Sequence, residues 1–436
     1  MRAMHPGLGV VGMAMLAAAV ASRGVASRED ARRTSAASRP TVRVRSRAAE
    51  QRPAAVTARP PAAARRRPVL AGVDVLFADS ARLVTGQRVG LITNAAAVDR
   101  AGVPTIDRLA HAPGVRLVAL FAPEHGIRGT AAPGAAVGDT VDAATGIPIY
   151  SLYGSRRGAP SPEQMRALDV LVVDLPDAGA RTWTYVSTMV RSMRAARDAG
   201  RPVVVLDRPD PIGCAVQGPV LDTAFASFIG ALPVPLRHGM TMGELSRMAN
   251  DVLRIGADLH VVPMKGWRRC DWFDATRLPF VRPSPNLPDL EALAWYPGTV
   301  LFEATNLSSG RGTDAPFCEV GAPWLDAPRV ARLMRERFGV AMTAVTFTPR
   351  SPGDGKYADT ALSGVRFPTF DRTRGDAIRD ALRLLGVIGE VHPAELRVDS
   401  LGVARRLGVR ARAGKDTWPE QVGAFVRRRR PYLLYR

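Results

Sequence analysis

Cysteine is scarce in this 436-residue chain, and several common sequence motifs are absent. The three cysteines, at 214, 270 and 318, form no CxxC pair, so they provide no disulfide framework and at most one bridge. The chain also lacks a GxxxxGK[ST] loop, a GxGxxG turn after its first predicted strand and a GxSxG elbow. These absences argue against a nucleotide-binding enzyme and against a serine hydrolase.

Lysine is equally scarce, because arginine supplies nearly all of the 60 basic residues, and the formal net charge is +20. Residues 22–68 hold 13 arginines against three acidic residues, so half of the excess charge lies in an Arg-, Ala- and Pro-rich stretch without an apolar period. We predict a disordered linker there. RNA-recognition aromatics, zinc-finger spacings and basic-region heptads are absent. The charge therefore indicates weak attraction to an anionic wall or membrane surface rather than a nucleic-acid partner.

The first 21 residues have the composition of an export signal. Arg2 precedes an apolar run from Leu8 to Val20, and residues 19–21 (AVA) offer a small-x-small cleavage site. The run is too short to span a bilayer comfortably, and no cysteine follows it that could carry a lipid. We predict a signal peptide over 1–21 and an exported protein, extracellular, cell-wall associated or periplasmic, without a stable membrane span after cleavage. An uncleaved anchor or a disordered tail is the alternative.

From Val69 onward, apolar strand-like runs alternate with helical stretches. Continuous runs of β-branched residues are typical of strands buried on both faces, which favours a parallel sheet flanked by helices and hence an α/β fold. A capping box at Thr241 and Glu244 predicts a helix that ends near Leu253. The predicted strands are 88–93, 116–121, 169–174, 202–206 and, later, 343–347 and 363–366, and the predicted helices include 105–112, 162–167 and 182–199. The predicted parts are a main α/β domain over 69–262, a loop-rich cleft segment over 263–326 and a smaller C-terminal domain over 327–436.

Polar side chains follow four consecutive predicted strands. Because ligands of open parallel sheets gather where strands end and loops begin, these side chains are candidates for one site. Any one of them could be only a loop cap or a turn, but a core sheet does not need the whole set. The candidates are Asn94 after the first strand, Glu124 and His125 after the second, Asp174, Asp177 and Arg181 after the third, and Asp207, Arg208 and Asp210 after the fourth.

Glu124 is the sharpest of these candidates. A carboxyl group that leaves a buried strand can have its pKa raised by desolvation, which suits a general acid at neutral pH, and His125 could orient it or bind substrate. A metal site formed by His125, His238 and the aspartates is the competing interpretation. No HxxxH or HxH spacing supports it, so we predict no metal.

A polar, glycine-bearing loop over 302–313 carries further candidates. Glu303 is a second carboxylate, and Asn306 and Arg311 can hydrogen-bond a substrate. A phosphate-binding loop is the alternative, which the missing P-loop pattern disfavours.

Ten segments, in this order, resemble the NamZ-type exo-β-N-acetylmuramidases, a glycoside hydrolase family long catalogued only as a domain of unknown function. The resemblance covers about residues 70 to 436, and its motifs taken together are highly specific. The segments are GLITNAAAVDR (90–100), ALFAPEHGIRG (119–129), IPIYSLYG (147–154), VLVVDLPDAGARTWTYVSTM (170–189), VVLDRPDPIG (204–213), PVPLRHGMTMGEL (233–245), VVPMKGWRR (261–269), PSPNLP (283–288), YPGTVLFEATNLSSGRGTDAPF (296–317) and the final RRPYLLY.

The resemblance implies a Rossmann-like catalytic domain, a smaller auxiliary domain and an active cleft between them. It implies release of N-acetylmuramic acid from the non-reducing ends of peptidoglycan fragments in cell-wall turnover, without a cofactor. The Glu of the family's PEHG motif falls on Glu124, and that of its ExTNxSxGRGT motif falls on Glu303. Residues 95–96 (AA), Pro176 and Asp210 depart from the family's usual residues, which puts the substrate contacts in more doubt than the chemistry.

The predicted mechanism uses Glu124 to protonate the glycosidic oxygen. A second carboxylate, Glu303 or one of Asp174 and Asp177, would assist the attacking water or stabilise the oxocarbenium-like state. Alternatively, the N-acetyl group of the substrate attacks internally and an aspartate orients it.

Muramic acid carries a lactyl carboxylate, which a bidentate arginine can recognise. Arg181 and Arg311 are the candidates, with Arg237 behind them, although Arg181 could instead only pair with Asp177. The remaining cleft candidates for substrate binding are Asn94, Asp174, Tyr185 and His238.

Two other classes of protein stay open at this point. A wall-binding protein could keep the cleft and hydrolyse nothing, and a metal- or nucleotide-dependent enzyme could use the same sheet. The expected partner is a peptidoglycan-derived muramic acid glycoside, and the oligomeric state is left open.

Overall fold

The computed structural model describes residues 68–124, 127–128, 139–153, 158–410 and 418–436. The predicted signal peptide and all but the last residue of the predicted linker lie outside these ranges. The strands are β1 Arg88–Thr93, β2 Arg116–Ala122, β3 Thr140–Val141, β4 Pro148–Ser151, β5 Val170–Asp174, β6 Val203–Leu206, β7 Gln217–Val220, β8 Pro235–Arg237, β9 Leu259–Val262, β10 Glu319–Ala322, β11 Thr343–Phe347 and β12 Leu362–Arg366.

A seven-stranded sheet dominates the N-terminal part, in the order β3-β4-β2-β1-β5-β6-β9. Neighbouring strands are parallel except β3, which runs antiparallel to β4. Strands β5 and β6 are buried over their whole length, as their continuous apolar sequence predicts for strands covered on both faces. The predicted α/β fold with a mostly parallel sheet is confirmed.

Helices cover both faces of this sheet, and their starts and stops follow local sequence signals. The predicted capping box is confirmed: the Thr241 hydroxyl accepts from the Glu244 amide, and the Glu244 carboxylate accepts from the Thr241 amide. The helix predicted over 105–112 ends at Ala110, because Pro113 disfavours helical backbone in the residues before it. The helices are α1 Gly72–Asp79, α2 Thr105–Ala110, α3 Pro162–Arg166, α4 Thr184–Asp198, α5 Met242–Val252, α6 Leu290–Thr299, α7 Ala327–Phe338, α8 Ala377–Val391, α9 Ser400–Leu407 and α10 Trp418–Arg428.

The order of the central strands creates a crevice at one edge of the sheet. From β1 the chain moves to β2 and β4 on one side, then crosses to β5, β6 and β9 on the other. The carboxyl ends of β1, β2 and β5 therefore diverge at a topological switch point, where open α/β sheets bind ligands. Asn94 follows β1, Glu124 follows β2, and Asp174 is the last residue of β5.

The C-terminal part packs onto one face of the large sheet. Its antiparallel three-stranded sheet has the order β10-β12-β11, and β10 precedes Ala327. Side chains of this small sheet, such as Val320 and Val365, belong to the same buried apolar cluster as Phe121 and Val173 of the large sheet. The two parts therefore share a continuous core.

A disulfide bridge joins Cys214 to Cys270, while Cys318 is a buried free thiol. Within the described ranges, no helix combines the length and apolar character needed to cross a membrane.

Candidate active site

Glu124 lies just after β2 and is held by the first residues of α4. Its Oε2 accepts a hydrogen bond from the Thr184 hydroxyl at 3.2 Å, and its backbone carbonyl accepts one from the Tyr185 hydroxyl at 3.0 Å. The Tyr153 hydroxyl donates to the same carboxyl group. Burial raises the pKa of Glu124 above its usual range, although the hydrogen bonds from Tyr153 and Thr184 oppose the shift. A carboxyl group of this kind keeps its proton to higher pH than an exposed glutamate does.

Glu303 is the second carboxylate of the site and has the opposite electrostatic environment. It lies in a 3-10 turn over Val300–Ala304, where its Oε1 accepts from Arg311 Nε at 3.1 Å and its Oε2 from Arg406 at 3.0 Å. Burial alone would raise the pKa of Glu303, but the charges of Arg311 and Arg406 outweigh it and lower the pKa. The charges of Arg311 and Glu303 both act on Glu124, so these groups belong to one site.

Asn94 and Tyr185 hold the backbone around Glu124. The Asn94 side chain donates to the Tyr185 hydroxyl at 2.8 Å and to the Pro283 carbonyl at 3.3 Å, and its oxygen accepts from the Ala96 amide at 2.7 Å. Both side chains are buried. These bonds give both side chains a structural role. Their predicted role as direct substrate contacts stays a prediction.

Asp174 is held within the protein beneath the crevice. Its carboxyl group is fully buried and accepts from Arg208 at 2.8 Å and from the Thr105 hydroxyl, which gives it a structural role. Its predicted role as a substrate contact or as the second carboxylate stays a prediction.

Arg181 is likewise engaged within the protein. Only 2% of its surface is exposed, and its guanidinium donates to the backbone carbonyls of Pro219 at 3.1 Å, Val234 at 2.8 Å and Arg406 at 2.8 Å. These three bonds give Arg181 a structural role, and its predicted recognition of the lactyl carboxylate stays a prediction. The alternative pairing with Asp177 is absent from its hydrogen bonds.

Asn306 supports a loop rather than a ligand. Its side-chain amide donates to the Glu395 carbonyl at 2.9 Å, and its oxygen accepts from the Arg397 amide at 2.8 Å. These two bonds attach the 302–313 loop to the segment between α8 and α9, and the predicted contact of Asn306 with substrate stays a prediction. The Arg237 guanidinium also donates within the protein, to the Ile212 carbonyl and to the Gln217 side chain.

Asp177 and His238 form a second, fully buried group. Their closest polar atoms, Asp177 Oδ2 and His238 Nε2, are 3.3 Å apart, and His238 Nδ1 accepts from the Met240 amide. Burial, reinforced by the nearby Asp210, raises the pKa of Asp177, and burial lowers the pKa of His238 to about 3. The histidine is therefore neutral and cannot act as a cation towards substrate. The predicted roles of Asp177 in catalysis and of His238 in substrate binding stay predictions.

His125 lies outside the described residues, so its predicted contact with substrate stays a prediction. No cluster of three or more histidine, cysteine, aspartate or glutamate side chains with metal-binding geometry occurs among the residues that the structure describes.

Four side chains of the site were missed from the sequence. Tyr153 and Thr184 stand in segments that carry the family resemblance, but nothing in their local pattern distinguishes them from core residues. Arg406 has no motif around it at all, and Lys356 donates to the carbonyls of Phe302, Glu303 and Leu307 that shape the turn. Contacts between residues distant in the sequence carry no local signal.

A crevice at a sheet switch point that holds two carboxyl groups with opposite pKa shifts is the arrangement of a glycoside hydrolase site. Comparison with known proteins agrees with this class. Models of the N-terminal and C-terminal parts of the exo-β-N-acetylmuramidase NamZ match residues 89–291 and 294–435. The chain belongs to the NamZ exo-β-N-acetylmuramidase family, which confirms the resemblance and the expected glycoside hydrolase class.

Relatives with names or solved structures cover most of the chain. The peptidoglycan β-N-acetylmuramidase NamZ of Bacillus subtilis strain 168 is 39% identical over 387 residues, covering 85% of this chain and 92% of that protein. A crystal structure of a DUF1343 family protein from Bacteroides fragilis NCTC 9343 matches with a TM-score of 0.77 at 32% identity. A second DUF1343 structure from the same organism matches with a TM-score of 0.62 at 31% identity. Each structure covers 85% of this chain and 99% of its own.

Proposed function

We propose that this protein is an exo-acting glycoside hydrolase that releases N-acetylmuramic acid from the non-reducing ends of peptidoglycan fragments during cell-wall turnover. The activity named for the Bacillus subtilis relative supports the substrate class. The single observation that carries the mechanism is the pairing of Glu124, whose pKa is raised, with Glu303, whose pKa is lowered, in one crevice.

Glu124 is the general acid of this proposal. Its protonated carboxyl group donates the proton to the glycosidic oxygen as the bond to the leaving sugar breaks. The hydroxyls of Thr184 and Tyr153 then stabilise the carboxylate that remains. Because Tyr185 fixes the backbone carbonyl of Glu124, the carboxyl group keeps its direction during the reaction.

Glu303 stays ionised and stabilises positive charge. Its negative charge faces the oxocarbenium-like transition state or orients the attacking water, as the second carboxylate of glycosidases does. Its two arginine partners have a further role, because one carboxylate does not neutralise both Arg311 and Arg406. The remaining positive charge attracts the lactyl carboxylate of muramic acid to this side of the crevice.

We also propose that the protein is exported, as its first 21 residues indicate. The bridge between Cys214 and Cys270 supports this, since structural disulfides persist in oxidising compartments outside the cytoplasm.

The first test is sugar release from a chromogenic N-acetylmuramic acid glycoside. We expect the mature protein to hydrolyse it and the Glu124→Gln variant to lose a factor of about 10²–10⁴ in kcat. Glu163→Gln, on an exposed turn of α3, is the matched control and should keep full activity. Binding of the glycoside by the unaltered protein without any release would instead identify a wall-binding protein that hydrolyses nothing.

A further inference from the structure

Lys356 is one of only three lysines among the 60 basic residues of the chain, and its ammonium group contacts the turn that carries Glu303. The Nζ atom donates to the backbone carbonyls of Phe302 at 3.1 Å, Glu303 at 3.2 Å and Leu307 at 3.0 Å. An ammonium group suits this arrangement because its three donors radiate from a single atom. A guanidinium group is planar and carries its donors on separate nitrogens, so arginine cannot make the same three contacts.

The loop that carries Lys356 joins β11 to β12 and has an unusual backbone. Three of its non-glycine residues have positive φ angles, namely Ser351, Tyr357 and Asp359. Left-handed backbone is unfavourable for such residues, and proteins often keep it at functional sites. In extended backbone, successive side chains point to opposite sides. Here Lys356 and Tyr357 both contact the 302–307 segment, because the Tyr357 hydroxyl donates to the Asn306 carbonyl at 2.7 Å.

The same loop also contacts the far end of the polar segment over 302–313. The Arg350 amide donates to the Gly312 carbonyl at 2.7 Å. Gly312 has a φ of 79°, and a Cβ atom there would lie 2.5 Å from the Arg350 carbonyl oxygen, so this approach requires glycine. The loop between β11 and β12 therefore holds the segment that carries Glu303 at both of its ends.

Lys356 also acts on Glu303 through its charge. The negative charges of Glu303 and Asp354 favour the ammonium form of Lys356, and the interaction is mutual, so the ammonium group favours the ionised form of Glu303. All three ammonium donors are used on backbone carbonyls, which leaves none for a sugar. Further charged or titratable groups that act on Glu303 are Arg311, Arg406, Glu124, Tyr153 and Tyr296.

We propose that Lys356 is a positioning residue for Glu303: it fixes the turn that carries this carboxylate, and its charge favours the ionised form. The inference rests on the proposed function and names what holds the second carboxylate of the same site.

The first measurement concerns the charge of Lys356. Lys356→Met removes the charge and the three donors but keeps an unbranched side chain. Protein labelled with carbon-13 at the glutamate carboxyl groups is titrated by NMR, and the Glu303 signal is assigned by its absence in Glu303→Gln. We expect Glu303 to titrate at higher pH in Lys356→Met, because a positive charge that favours its ionised form is lost. Lys356→Arg keeps a positive charge, so Glu303 should titrate as in the wild type.

The second measurement concerns position. Both variants lose the three bonds to the turn, so we expect kcat on the chromogenic N-acetylmuramic acid glycoside to fall about 10–100-fold, as small displacements of a reacting group do. KM should stay within about threefold, because Lys356 does not contact the sugar. In Lys356→Met the acidic limb of kcat/KM should also move to higher pH. Lys265→Met, which removes a surface pair with Asp79, is the matched control and should change none of these values.

Circular dichroism checks that each variant is folded. Tyr357→Phe leaves Lys356 in place but removes the bond to the Asn306 carbonyl, and it should lower kcat about threefold without moving the titration of Glu303. Wild-type kcat in Lys356→Arg, or an unmoved Glu303 titration in folded Lys356→Met, would overturn the inference. If Lys356→Met does not fold, full activity in both Lys356→Arg and Tyr357→Phe would overturn it. A wild type that releases no sugar would refute the proposed function alone, since the titration still measures the effect of Lys356 on Glu303.

Discussion

Burial and the hydrogen bonds that oppose it together determine the pKa of Glu124. The Tyr153 hydroxyl donates to the carboxylate and therefore favours its ionised form, which opposes the effect of burial on the pKa. Tyr153→Phe removes this donor, so the pKa of Glu124 rises further. A general acid works only while it is protonated, and we expect the alkaline limb of the kcat/KM profile to move to higher pH.

The control for this change is Tyr150→Phe, because Tyr150 stacks on Phe121 in the neighbouring strand and does not act on Glu124. Profiles of kcat/KM against pH for the wild type, Tyr153→Phe and Tyr150→Phe measure whether the alkaline limb moves. An alkaline limb that stays in place or moves to lower pH in Tyr153→Phe would contradict the assignment of that limb to Glu124.

We predict that Arg311 sets a preference for an acidic sugar in the proposed site. Lysine at this position keeps the charge but loses the planar fork that binds a carboxylate with two parallel hydrogen bonds. We expect Arg311→Lys to lower kcat/KM for a muramic acid glycoside about tenfold more than for the matching N-acetylglucosamine glycoside. Arg350→Lys, whose side chain is 79% exposed, should leave the ratio unchanged. An equal loss on both glycosides would show that Arg311 only supports Glu303.

At the residue scale, the sequence indicated which side chains carry groups suited to catalysis or binding, but not which groups they hydrogen-bond in the fold. Glu124 and Glu303 were predicted from a carboxyl group at a strand end and one in a polar loop, and their catalytic roles stay predictions. Arg181 and Asp174 were assigned to substrate because a sequence cannot show that the carbonyl of Arg406 lies 2.8 Å from one and the guanidinium of Arg208 lies 2.8 Å from the other.

At the scale of helices and strands, the hydrogen bonds of Arg181 connect several elements. It precedes α4, and its donors reach β7, the segment before β8 and the last turn of α9, so one side chain joins both parts of the chain. Lysine cannot satisfy three carbonyl groups in these directions. Arg181→Lys should therefore lower the free energy of unfolding by about 1–3 kcal/mol, as expected when buried hydrogen bonds to a charged group are lost.

Urea denaturation measures this loss, and the ratio of activity on muramic and glucosamine glycosides should stay at its wild-type value. A selective loss of activity on the muramic glycoside with unchanged stability would contradict this structural role and support a contact of Arg181 with substrate.

The elements themselves were the most predictable part of the molecule. Strands β1 and β11 have the predicted bounds, and the capping box places the start of α5 correctly, because apolar runs and caps are local signals. The short strands β3, β4, β7, β8, β9 and β10 were not predicted. Their pairing depends on partners that the local pattern does not contain.

For the whole molecule, the bridge between Cys214 and Cys270 is a stabilising crosslink. It closes a loop with a sequence separation of 56, and the loss of a bridge of this kind typically costs about 2–5 kcal/mol. We expect dithiothreitol to lower the Tm of the oxidised protein. The double variant Cys214→Ala/Cys270→Ala should start from the lower Tm and show no further change with the reductant. A wild-type Tm that does not respond to reduction would contradict the contribution of the bridge.

The fold class could be predicted at this scale, since alternating strands and helices permit few architectures. The pairing of the cysteines could not, because three cysteines allow several bridges and only the folded chain brings two of them to a Cα separation of 4.7 Å.

The carboxyl groups of the site come from different halves of the chain. Glu124 lies in the segment matched over 89–291, whereas Glu303, Arg311 and Arg406 lie in the segment matched over 294–435. In the proposed mechanism, a chimaera that joins the first half of this protein to the second half of a relative would keep Glu124 as proton donor and take the residues at positions 303, 311 and 406 from the relative. We therefore expect an exchange of halves between residues 291 and 294 to alter the sugar preference while the proposed general acid stays unchanged.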